Sequence, residues 1–388
     1  MMVQTTSITV ILCLTLSLEL RADVYKPTHA NEIVFEISDV QRDITTRLRA
    51  SHQKSGLSQQ KDMTEAVEMA KTAIIKAKQT HDTRLYGRAE AFLKPWWKDD
   101  QQSIEFLYLQ AQIFGFNHEF KTALAILDKI LAREPAHKQA LFDAAVLALV
   151  SGDFNKAETM CVKLETVHRQ AGVICKANIY AVLGQAHESL STLDKEINQG
   201  WIDPSLRQWA LTSAAEIAWR LGELQKAEYY FKDALTHDAK DYYVLASYCD
   251  FLMVLGQPNN VITLLKDKQH TTSILLRLSR AAVQINHPEA TRISEELTNA
   301  LQGVWESKDN QPQREEAYYT LYVQKDTRRA LSFARTNWQK QKEMIDLHLY
   351  YTAAHQENSI QDLKAIQQWV TQIGYQDKNL NFSQWDRQ

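Results

Sequence analysis

LTSAAEIAWRLGELQKAEYYFKDALTHDAKD, from Leu211 to Asp241, reads as helix, glycine turn, helix. Ala215 and Ala227 are small where two antiparallel helices would approach closely. Gly222 suits a turn conformation that a side chain resists. Phe231 and Ala234 follow Ala227 at four and seven residues, on one helical face. Outward from this unit the same spacing recurs. Ala89, Ala123 and Ala157 are 34 apart; so are Tyr86, Phe120 and Phe154, and so are Ala77, Ala111 and Ala145. Gly222 and Gly256 share the period. Independent columns with one period identify a repeat array in which each helix pair buries its apolar face against the next. Only 11 Gly and 7 Pro in 388 residues fit helices joined by short loops.

The pattern of small residues, turn glycine and aromatic resembles the tetratricopeptide repeat, with Ala215, Gly222, Ala227, Phe231 and Ala234 in the best unit. Pro135 closes the repeat that holds Ala111, Ala123 and Leu127. The resemblance covers roughly residues 61–268. It weakens in AGVICKANIYAVLGQAHESLSTLDKEI, where Ser189 replaces the usual alanine and the turn glycines are spaced 32 and then 38. It implies an all-α fold, a right-handed superhelical solenoid of antiparallel helix pairs. The expected organisation is a signal peptide at 1–22, an N-terminal arm and loop at 23–60, a repeat array at 61–307, and degenerate helical repeats or a cap at 308–388. The leader, the DTRLYGRAEAFLKPWW segment (Asp82–Trp97) and a cysteine pair resemble a group of exported bacterial tetratricopeptide proteins of unassigned function.

The apolar run ITVILCLTLSLEL, Ile8–Leu20, is too short for a bilayer span of about 20 residues and suits the core of a secretory signal. The expected location is therefore periplasmic or extracellular, with an uncleaved anchor as the alternative. A net charge of −3 and the lack of a long basic run argue against nucleic acid.

No phosphate loop, G-x-S-x-G elbow or H-E-x-x-H motif is present. His118-Glu119 opens like a zinc motif and lacks its second histidine. No catalytic residue, cofactor, metal or small-molecule substrate is expected. A binding surface is the better search. In the family the first helix of each pair lines the concave face, which makes Tyr108, Gln112, Phe116, Asn178, Trp209, Glu216, Trp219, Arg220, Tyr243 and Asp250 groove candidates, with Phe142 and Val146 either in the groove or in inter-repeat packing. Trp209 and Trp219 are expected to be exposed there. Asn178 lacks the neighbouring lysine of a carboxylate clamp, so the expected ligand is a protein or extended peptide read through aromatic and backbone contacts. Trp96 and Trp97 are read as plugging a repeat junction.

Cys161 and Cys175 flank CVKLETVHRQAGVIC, on the second helix of one repeat and the first helix of the next. Their side chains could meet as a disulfide. Two buried free thiols are the alternative; a metal site would need more ligands than His168. Cys249 is expected to be an unpaired core thiol. The leading function is a non-enzymatic scaffold outside the cytoplasm. The alternative is an assembly or maturation factor for an envelope enzyme, or for a membrane complex with which the chain would associate peripherally.

Overall fold

A computed structural model describes residues 56–80, 82–98, 102–200, 203–268, 271–306 and 313–382. Two compact units divide after Asp62. Of the first, only the start of helix α1 (Gly56–Thr80) is described, so the leader and most of the 23–60 arm lie outside the described residues. Helix α1 begins inside SHQKSGLSQQ, expected as a loop, because Gly56 opens a run of good helix formers.

The second unit is all helix among its described residues. After α2 (Arg84–Leu93) come hairpins that each pair an odd-numbered first helix with an even-numbered second one. They are α3 (Ile104–Phe116) with α4 (Phe120–Arg133), α5 (Lys138–Ser151) with α6 (Phe154–Val167), and α7 (Arg169–Val182) with α8 (Ala186–Asn198). Then follow α9 (Pro204–Arg220) with α10 (Leu224–His237), α11 (Tyr242–Val254) with α12 (Pro258–Leu265), and α13 (Thr272–Gln284) with α14 (Ala290–Glu306). The last are α15 (Gln313–Tyr318), prolonged by a π-helical turn at Tyr319–Gln324, with α16 (Thr327–Trp338), and α17 (Met344–Gln356) with α18 (Ile360–Ile373). Within a hairpin the helices pack on each other, and successive first helices also touch. This is a tetratricopeptide-repeat-like solenoid, and it continues through the segment where the sequence motif fades.

The column residues do what their size dictates. Ala111, Ala123, Ala145, Ala157, Ala215 and Ala227 are all buried where helices cross. Every hairpin turns on one residue in the left-handed region: His118, Gly152, Gly184, Gly222, Gly256, Asn286, Lys325 and Asn358. That conformation lets later amides reach back to carbonyls the helix leaves open, as in Asp153 N–H to Ala148 O and Glu223 N–H to Ala218 O, both 2.8 Å. Helix starts are capped by side chains, including histidines. His137 Nδ1 accepts from Ala140 N–H and His168 Nδ1 from Ala171 N–H. His168 thus opens α7.

Cys161 and Cys175 are placed as a disulfide across the α6–α7 junction, with Cα atoms 5.4 Å apart. Gly172 is required beside it, because a Cβ there would fall 2.2 Å from Glu165 Cα. Cys249 is a buried free thiol. Trp96 is buried, Trp97 packs on Phe114 at 5.0 Å, and Gln102 ties both tryptophan carbonyls. These rings fill the junction before α3.

The C-terminal hairpins curl back onto the first helices. Lys342 N–H donates to Val150 O at 2.7 Å, and Lys378 N–H donates to Arg220 O at 2.8 Å. Ala186 N–H donates to Gln376 Oε1 at 3.1 Å, and Gln341 meets His118 at 2.8 Å. Gly184 and Gly374, both left-handed, meet back to back. A Cβ on Gly184 would lie 3.0 Å from Gly374 O, and the backbone there has φ of +87°. Gly184→Ala is therefore expected to cost about 1–3 kcal/mol, from backbone strain plus overpacking. Thermal unfolding checks this, with Gly87→Ala, at an exposed position inside α2 where nothing lies within 4 Å, as the control that is expected to stabilise slightly.

Candidate functional site

The returning C-terminal segment covers part of the first-helix face and leaves a cavity of about 580 Å³. Its walls come from α5 (Phe142, Val146), α7 (Asn178), α9 (Gln208, Trp209, Glu216) and α11 (Tyr243). Lys342 and Glu343, just before α17, Met344, its first residue, and Tyr375, just after α18, close it. Each first helix contributes through the same face because the hairpins stack in register. Phe142 and Trp209 meet edge to face at 5.0 Å, which fixes the aromatic wall.

The groove candidates separate into three sets. Asn178, Trp209, Glu216, Arg220 and Tyr243 line the cavity together with Phe142 and Val146. Tyr108, Gln112 and Phe116 lie further toward the N-terminus, outside it. The Tyr108 hydroxyl donates to Asp143 at 2.7 Å, Lys78 donates to Gln112 at 3.0 Å, and Phe116 stacks on Tyr86 at 4.0 Å. Trp219, Arg220 and Asp250 are not accessible. Trp219 is 1% exposed, packed edge-on against Phe251 and His348. Its expected exposure is thus corrected: the C-terminal hairpin supplies the ring that covers it. Arg220 lines the cavity yet is buried. Its guanidinium donates to Ala181 O at 3.0 Å and lies 4.4 Å from the centre of the Tyr375 ring. Asp250 accepts from Arg277 at 2.6 Å and from the Tyr318 hydroxyl at 2.7 Å, with Arg280 at 3.7 Å. That buried cluster joins α11, α13 and α15, so Asp250 is committed to the fold.

Charge in the cavity is unevenly satisfied. Glu343 pairs with Arg314, Asp241 caps α11 by accepting from Tyr243 and Val244 N–H, and Lys342 donates to Trp338 O. Glu216 accepts from the Ser247 hydroxyl at 2.8 Å and makes no ion pair among the described residues. Burial pushes its carboxyl up to about 7, opposed by the Ser247 and Tyr243 hydroxyls and by Arg220, and reinforced by Glu343. Tyr243 stands over it at the mouth and is 55% exposed. The sequence reading missed Lys342, Glu343, Met344 and Tyr375. They carry no repeat signal, and their place follows from the return of the chain. Among the described residues there is no cluster of His, Cys, Asp and Glu able to hold a metal, and no helix long and apolar enough to cross a membrane.

No family model and no curated protein matches the chain. Solved structures do. A tetratricopeptide repeat protein from Parabacteroides merdae is 13% identical, covers 74% of this chain and 99% of its own, and has a TM-score of 0.38. PilW, described as a widely conserved type IV pilus biogenesis factor, is 16% identical over 51% of this chain and 94% of its own, at 0.39. The human IFIT1 dimer with m7Gppp-AAAA is 11% identical over 76% of each chain, at 0.42. At such identities and scores these neighbours say nothing about partner or activity. The class itself, a tetratricopeptide-repeat-like helical solenoid, is evident in the hairpins described above.

The raised Glu216 pKa has a sign that can be checked. Between the ordinary carboxylate value of 4.5 and about 7 the folded chain holds a proton the unfolded chain has released, so this group's stabilising contribution is present below pH 4.5 and lost as pH rises through 7. Glu216→Gln is expected to raise the thermal midpoint relative to the parent at pH 8 and to change it little at pH 4.5. Asp250→Ala is expected to cost about 3–5 kcal/mol, since Arg277 would be left buried without its carboxylate; chemical denaturation reads this.

Proposed function

We propose that this protein is an exported, non-enzymatic scaffold that holds a protein or peptide partner against the first-helix face of its solenoid. One observation carries the reading: successive first helices present aromatic and hydrogen-bonding side chains to a single half-open cavity, Phe142, Asn178, Trp209 and Tyr243 among them. Aromatic anchors in a concave surface, with a few polar groups fixing orientation, suit a partner's side chain or chain segment. The cavity sits within a longer face that continues through Tyr108 and Phe116, so a partner seated there has further surface to follow. The short apolar leader supports export, and so does a cysteine pair placed to bond, because disulfides persist in oxidising compartments.

Photo-crosslinking in the native host tests the binding reading. A crosslinking residue at Tyr243 is expected to capture a protein partner. The same residue at Tyr229, 63% exposed on the second helix α10, is expected to capture none at comparable yield. Equal capture at both positions, or at neither, contradicts the assignment of the groove.

Export and oxidation are tested separately. In protein recovered from the host envelope, non-reducing peptide mapping is expected to show Cys161 joined to Cys175. The double change Cys161→Ser with Cys175→Ser is expected to lose about 3 kcal/mol, as is the parent under reductant, from the entropy of closing a loop of roughly 15 residues. Free thiols at both positions in exported protein would contradict this.

A further inference from the structure

Glu216 has the surroundings of half an ion pair. It lies inside a cavity walled by Phe142, Trp209, Tyr243 and Tyr375, faced by the neutral hydroxyls of Ser247 and Tyr243 and by no ion-pair partner among the described residues. The cations near it are already engaged: Arg220 on Ala181 O and the Tyr375 ring, and Lys342 on Trp338 O and the Trp338 ring. Asp238 and Asp241 add negative charge to the lining. An unpaired carboxylate in such a place is costly, and one partner removes the cost: a cation carried on an apolar stem. Aromatic faces favour the same group, since their quadrupole attracts an ammonium.

We propose that the cavity is a receptor for a lysine side chain of the bound partner, with the ammonium paired to Glu216 and the methylene stem lying between Trp209 and Tyr243. This rests on the groove reading above and names the chemistry that the groove selects. A compact ammonium on a four-carbon stem reaches into a half-open pocket and leaves the partner's backbone outside. The pocket is also poised for protonation. Glu216 faces Arg220 on its own helix, Tyr243 and Ser247 on α11, and Glu343 before α17, while α5 and α7 present the uncharged Phe142, Val146 and Asn178. As pH falls through about 7 the carboxyl takes up a proton and loses its attraction for the ammonium, so lysine affinity falls with it.

The test uses the full chain and Nα-acetyl-lysine-N-methylamide as probe, followed by ligand-observed NMR at pH 8 and low salt. The lysine probe is expected to bind. The norleucine compound, which keeps the carbon stem and lacks the ammonium, and alaninamide, which carries only an α-amine, are expected to bind at least tenfold more weakly. Glu216→Gln is expected to weaken the lysine probe at least tenfold while unfolding no earlier than the parent at pH 8, and Tyr243→Ala, at an exposed position, several-fold. Lowering the pH from 8 to 6 is expected to weaken the parent by a similar factor and leave Glu216→Gln unmoved. Norleucine binding as well as lysine, alaninamide binding in place of lysine, or Glu216→Gln binding like the parent would each overturn the proposal. A partner still captured at Tyr243 in a Glu216→Gln background overturns the lysine assignment and leaves the groove reading standing. Lysine binding with no captured partner does the reverse.

Discussion

The fold depends on how each first helix ends. A helix leaves its last carbonyls open, and a second antiparallel helix can follow only if the chain reverses within a few residues. Here that is done by one left-handed residue per hairpin, from His118 to Asn358. The tight reversal brings the two helices close, and the close approach demands alanine at the crossings. The repeat follows from that pair of constraints. Some carbonyls at these ends then find their donors far along the sequence, in Lys342 and Lys378, so the same ends that terminate the helices also receive the C-terminal hairpins.

That return gives the molecule its site. An open solenoid would present a continuous strip of side chains. With the C-terminal segment docked, Trp219 and Arg220 become its seat, Asp250 belongs to a buried ion cluster, and only part of the strip faces a cavity. The partners of each charge in that cavity explain its character. The other charged side chains that line it have a fixed role in the fold, and Glu216 is left with the neutral hydroxyls of Ser247 and Tyr243.

The repeat period was legible in the sequence wherever size alone decides, as in the alanine columns and at Gly222 and Gly256. It faded where the turn is made by His118, Asn286, Lys325 or Asn358, residues that accept the left-handed region without advertising it. The register placed Cys161 and Cys175 on neighbouring antiparallel helices, and their Cα atoms lie 5.4 Å apart there. The first-helix register also placed Asn178, Trp209, Glu216 and Tyr243 on one face, and all four line the cavity. It could not tell which part of that face is covered, because the covering contacts are made largely by backbone amides and by single side chains such as Gln376 and Tyr375, distant in sequence and without period. Trp219 shows the limit most plainly: its position in the repeat is that of a groove residue, and His348, distant in sequence, packs on it from the C-terminal hairpin.

The central claim is that the C-terminal segment is docked on the ends of the first helices. Residue-resolved amide hydrogen exchange tests it most directly, at the N–H groups of Lys342 and Lys378. Both lie outside any helix and would exchange at near-random-coil rates if the segment hung free. The account predicts protection of both amides comparable to the adjoining helices α17 and α18. Exchange of both amides at unprotected rates, with α17 and α18 still protected, would contradict it.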